Sequence, residues 1–128
     1  MADFRTPLSR ARGLGSAKHG AAHWVAERVS ALALVPLVLW LVFGVIRLAG
    51  ADYASAVLWI SEPLNAVLLV MLAAIGFWHM QAGLRVVVED YVPQLMARSV
   101  LLLINLGLCT LGGALAIFSI LKVALGGA

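Results

Sequence analysis

The chain has 128 residues, 63% of them hydrophobic and only 12% charged, with a formal net charge of +3. Water-soluble domains are about half apolar and about a quarter charged, so this composition excludes a soluble enzyme and identifies an integral membrane protein. The positive balance does not point to nucleic acid, because Arg5, Arg10, Arg12, Lys18 and Arg28 all precede the first apolar run, where basic residues act as topology signals.

In chain order, positions 1–28 read as a basic cytoplasmic segment. Positions 29–121 read as an all-α anchor of three transmembrane helices, and 122–128 as a short periplasmic tail. The first apolar run begins near Val29, too late and too long for a cleaved signal peptide. Each of the three runs is long enough to cross about 30 Å of hydrocarbon. Each must be helical, because no backbone group can stay unpaired in lipid.

The first span, 29–48, contains Pro36, which lacks a backbone donor and predicts a kink. The second, 64–88, is preceded by Ser61-Glu62-Pro63, which supply a cap, an acid for the helix dipole and a proline for the first turn. Pro93 ends it. The third, 100–121, carries Gly107, Cys109, Gly112, Gly113, Ala114 and Ala116, small residues that let helices approach closely. Cys109 is the single cysteine, so it forms no internal disulfide and reads as a small apolar filler. The N-terminal segment and the second loop hold Arg5, Arg10, Arg12, Lys18, Arg28, Arg85 and Arg98. The first loop and the C-terminus hold only Arg47 and Lys122. That asymmetry predicts a cytoplasmic N-terminus and a periplasmic C-terminus.

His79 is the outlier. It lies inside the second apolar run, and an ionisable side chain in hydrocarbon marks a functional site by default. At about 100° per residue, His79, Gly83, Val86 and Asp90 share one stripe of the helix, with Gly76 close by. Glycines one turn either side of a histidine leave room for a flat ligand such as a porphyrin, and neutral imidazole is a common haem-iron ligand. A histidine merely hydrogen-bonded to a neighbouring helix would show the same spacing. His19 and His23 precede the first span, so a second imidazole on the same iron would have to come from another chain.

Glu89-Asp90-Tyr91 falls where the second helix reaches the cytoplasmic interface. Tyrosine is favoured there for its amphipathic ring alone; its phenol can also donate to a ligand carbonyl. Trp24, Glu27, Arg28 and Ser30 are read as entering the first helix at that same level. Arg28 is either a positive-inside anchor or a bidentate partner for an anionic propionate.

Taken together, these residues resemble the hydrophobic membrane-anchor subunit of succinate dehydrogenase, in its D-type, α-proteobacterial form. The likeness covers nearly the whole chain. It is carried by Arg5-Thr6-Pro7-Leu8, by Arg12-Gly13-Leu14-Gly15-Ser16-Ala17-Lys18, by His23-Trp24 and Arg28-Val29-Ser30-Ala31, and by His79, Gly83 and Asp90-Tyr91-Val92. The resemblance implies that His79 is one axial ligand of a haem b, the other coming from a C-type cytochrome b anchor subunit. It implies that Tyr91 donates to a ubiquinone carbonyl with Asp90 beside it, and that Arg28 lies near the haem propionates and the quinone. Trp24 and Ser30 carry over more loosely to the same vicinity. Such a subunit docks a flavoprotein and an iron–sulfur subunit to a bacterial inner membrane, or to a mitochondrial inner membrane. A fumarate reductase anchor and a small non-redox three-span protein are the alternatives.

Overall fold

The computed structural model describes residues 6–12 and 20–126, which form five α-helices: α1 Pro7–Arg12, α2 Gly20–Leu48, α3 Tyr53–Ser61, α4 Pro63–Tyr91 and α5 Leu95–Ala124. Arg5, Lys18 and His19 lie outside the described residues. Three helices, over Ala21–Leu48, Pro63–Tyr91 and Leu95–Ala124, are long and apolar enough to cross a membrane. The protein is therefore an all-helical membrane protein with three span-capable helices.

Each long helix overshoots the apolar run that defines it. α2 begins at Gly20 rather than Val29, so Trp24, Glu27 and Arg28 belong to the same continuous rod as the span. Pro36 stands inside that rod without ending it. Ser61 does not cap α4. It closes α3, and its hydroxyl donates to the Val123 carbonyl at 3.3 Å. Glu62 takes the N-cap position with Pro63 in the first turn, and its carboxylate accepts from Asn65 Nδ2 at 2.8 Å instead of capping.

The short helix α3 is absent from the apolar pattern because it is only nine residues long. It is capped at its start by Asp52, whose Oδ1 accepts the Ser55 backbone N–H at 3.0 Å, satisfying an orphan donor of the first turn.

α4 is the central element, packed chiefly against α5 and also against α2. Its seam with α5 is made of small and polar groups. Phe77 lies where a side chain on Gly112 or Gly113 would be: a Cβ at Gly112 would come within 2.7 Å of the ring edge, and one at Gly113 within 3.2 Å of Phe77 Cβ. Asn105, buried, donates to the Gln81 carbonyl at 2.9 Å, and Cys109 Sγ donates to Asn105 Oδ1 at 3.3 Å. A bond such as that from Asn105 to Gln81 contributes about 0.6 kcal/mol between membrane helices, whereas the Cys109 contact lies within α5. Leaving the amide unpaired in hydrocarbon would cost more.

Leu32, Phe43, Leu103, Leu108, Leu115 and Phe118 face outward and are all well exposed. In water that surface would drive aggregation. Against lipid tails or partner helices it costs nothing.

At the end of the bundle opposite α2's N-terminus, the Trp40 and Trp59 rings stack with centroids 5.3 Å apart and planes 20° apart. Gly44 is buried beneath them, where an added Cβ would fall 2.6 Å from Trp59 Cζ2. Trp59 cannot retreat without leaving Trp40. Gly44→Ala should therefore destabilise the assembled protein by about 1–3 kcal/mol through overpacking, read as a lower thermal midpoint in detergent, with Trp59→Leu in the same chain restoring most of the loss.

The hydrogen bonds from Ser55, its hydroxyl first and its backbone N–H second, hold the exposed Asp52 carboxyl below the usual carboxylate range. A depressed folded pKa means that the cap's contribution is fully present above the unfolded pKa, near 4, and is lost as pH falls through the folded value. Amide protection over residues 53–56 should accordingly drop as pH falls below about 4. In Asp52→Asn, which caps without titrating, that drop should be absent.

Candidate functional site

The antiparallel run of α2 against α4 sets the register. Ser30 Oγ lies 2.8 Å from His79 Nδ1, and one turn further along α2 a Cβ at Gly76 would stand 4.0 Å from Leu34 Cδ2. Ser30 is only 6% exposed, and its hydroxyl also reaches the Glu27 carbonyl at 2.8 Å. His79 therefore sits about 18 Å of helix rise from the Tyr91 end of α4, deep within the span.

This register corrects one expectation. Ser30 is level with His79, not with Glu89-Asp90-Tyr91. Because α2 starts nine residues early, the position that read as the mouth of the first helix is three turns inside it.

His79 closes one side of an apolar hollow of about 400 Å³, otherwise lined by Ala31, Leu34, Val35, Val38 and Leu39 of α2. A Cβ at Gly83, one turn along, would meet nothing within 4 Å, so the backbone there is open to a neighbour. Nε2 of the imidazole makes no hydrogen bond among the described residues. The ring is thus engaged at one nitrogen and free at the other.

The remaining candidates form two separate groups. Arg28, about 200° around α2 from Ser30, is exposed and lies over the Trp24 ring at 5.4 Å from its centroid, a cation–π contact. Trp24 is 58% exposed. At the α4 terminus, Arg85 Nε donates to Glu89 Oε1 at 2.8 Å, an i,i+4 pair that occupies Glu89. Asp90 and Tyr91 make no hydrogen bond or ion pair among the described residues, and Tyr91 is 81% exposed. No hydrogen bond, ion pair or ring contact joins Arg28 or Trp24 to Asp90 or Tyr91. His23 Nδ1 lies 3.9 Å from Glu27 Oε1, far from His79 in the chain register.

Sequence reading missed the hollow-lining residues Leu34, Val35, Val38 and Leu39. Nothing in a uniformly apolar helix distinguishes the side that faces an imidazole. Among the described residues, no three His, Cys, Asp or Glu side chains converge as a ligand set for a free metal ion.

Three span-capable helices, with an imidazole engaged at one nitrogen between two of them, define an all-helical membrane protein of the anchor type. The family model described as succinate dehydrogenase/fumarate reductase transmembrane subunit matches residues 2–120, and the chain belongs to that family. It is similar to proteins named succinate dehydrogenase hydrophobic membrane anchor subunit in three organisms. The Rickettsia conorii protein is 33% identical over 103 residues, covering 80% of this chain and 82% of that one. The Rickettsia bellii protein is 30% identical over 122 residues, covering 94% and 89%. The Paracoccus denitrificans protein is 32% identical over 88 residues, covering 69% and 68%. No solved structure matches the chain significantly.

Proposed function

We propose that this anchor subunit holds one side of a haem b through His79 Nε2, forms part of a ubiquinone-reduction site at the Tyr91 end of α4, and docks a flavoprotein and an iron–sulfur subunit to the inner membrane. A C-type cytochrome b anchor completes the haem and quinone sites. The observation that carries the reading is the imidazole itself: tied at Nδ1 to a buried serine, unbonded at Nε2, and set in an apolar hollow beside an open glycine backbone.

Those features suit a flat, largely apolar macrocycle held by one axial nitrogen from each side. The hollow belongs to α2 and α4 alone, so the opposite wall has to come from another polypeptide. When bound, the haem supplies one-electron redox chemistry. The chain's own residues ligate it, keep water away and fix its position.

At the other level, Tyr91 is exposed and unpaired, so its phenol is free to donate a hydrogen bond to a quinone carbonyl. Asp90 beside it carries no partner and can relay protons from the aqueous side. Reduction of a quinone takes two electrons and two protons, and a site at the helix end reaches water where one beside His79 does not. Arg28 and Trp24 stand away from Tyr91 within this chain, so their part in the pocket depends on the partner anchor bringing the two groups to one ligand. The basic residues at the Gly20 end of α2 and the Tyr91 end of α4 support a cytoplasmic side for that end, where soluble catalytic subunits would dock.

The assembled complex should give a b-type band in its reduced-minus-oxidised difference spectrum, and His79→Ala should abolish it. A wild-type complex with no such band would favour a non-redox three-span protein. Tyr91→Phe should slow quinone reduction by about tenfold, the worth of one hydrogen bond of about 1.4 kcal/mol, with haem content and assembly unchanged. Undiminished quinone turnover in that variant would remove the donor role.

A further inference from the structure

The geometry points to Ser30 as the positioning residue that sets the tautomer and donor strength of His79, through a relay running from Nδ1–H to the Ser30 hydroxyl and on to the Glu27 carbonyl. This rests on the haem-ligation reading above and adds to it a residue on a different helix.

The argument is one of proton counting. Ser30 Oγ has two neighbours at 2.8 Å, the Glu27 carbonyl and His79 Nδ1. A carbonyl only accepts, and a hydroxyl has one proton. If the imidazole proton sat on Nε2, both neighbours of Oγ would be acceptors, and one of the two 2.8 Å contacts would lack a hydrogen. With the proton on Nδ1, both contacts are hydrogen bonds: Nδ1–H donates to Oγ, and Oγ–H donates to the carbonyl. Ser30 is buried, so no water is at hand to rescue the other arrangement. The satisfied tautomer leaves its lone pair on Nε2, the nitrogen with no partner among the described residues.

The same relay acts on the ligand's strength. A metal-binding imidazole that donates its other N–H to an acceptor is fixed in orientation and made more basic. Here the acceptor is itself polarised, because its own proton is committed to a carbonyl. A more basic axial imidazole favours the oxidised iron. Removing the hydroxyl should therefore weaken haem retention and raise the haem midpoint potential, whereas a serine that merely fills space would move neither.

The test uses the purified, assembled complex with Ser30→Ala, Ser30→Val and Ser30→Thr. The alanine and valine variants should lose haem to excess apomyoglobin about tenfold more readily, the lower end of the usual outer-shell effect, with a midpoint potential above wild type. Threonine, which keeps the hydroxyl, should restore both. A haem-bearing Ser30→Ala complex with wild-type retention and potential overturns the positioning role alone. Should the alanine variant fail to assemble, the threonine and valine variants, matched in shape, decide it: equal potentials overturn the role, and a higher potential in valine supports it. A wild-type complex without the b-type band overturns the ligation reading, and this one with it.

Discussion

The hydrogen bond between Ser30 on α2 and His79 on α4 is the contact on which the rest of this molecule turns. Most of the surface between the two helices is aliphatic, and in lipid such surface has little preference for one register over another, since tails and side chains are equally apolar. A polar pair is different. Displaced by one residue, His79 Nδ1 would face hydrocarbon unpaired while Ser30 kept only its bond to the Glu27 carbonyl, and the cost of that unpaired ring nitrogen exceeds what a shift in aliphatic packing returns. The bond thus selects the register, and the register places the apolar hollow of α2 opposite the imidazole.

A similar division of labour appears at the other seams. Asn105 binds the Gln81 carbonyl and sets α5 against α4, while Gly112 and Gly113 admit Phe77 between them. Ser61 ties the end of α3 to the end of α5, and Asn65 satisfies both the Trp59 carbonyl and the Glu62 carboxylate at the α3–α4 corner. Few of the described residues are buried, and those that are include three polar ones, Ser30, Asn65 and Asn105. Small residues allow approach, and single polar contacts specify where it happens. The large apolar side chains are left on the outside, where lipid or a second anchor subunit can cover them.

Membership of the succinate dehydrogenase/fumarate reductase transmembrane family agrees with the proposed reading of these open groups as ones a partner chain would meet. A subunit that shares its working parts with a partner has no reason to close its own pockets. His79 is satisfied on one side only. Among the described residues, the Tyr91 and Asp90 side chains end α4 without a hydrogen bond or ion pair, and Arg28 rests on Trp24 rather than on a carboxylate. In a self-sufficient protein these would be defects. In the proposed reading they are the ends left for another chain.

The class of protein and the three helical spans were legible in the sequence, because they follow from local rules. Twenty apolar residues span hydrocarbon whatever surrounds them, and a histidine among them is conspicuous without knowing its neighbours. The short helix α3, capped by Asp52, went unread in the sequence, since its nine residues fall below the length at which an apolar pattern is noticed. What the sequence could not supply was the pairing between helices. That Ser30 lies beside His79 rather than level with Tyr91, that Ser61 bonds across to Val123 rather than capping α4, and that Gly112 holds Phe77 while Gly83 opens outward are facts of register and rotation. These are decided by contacts between residues 35 to 62 positions apart, which no periodicity within a single helix encodes.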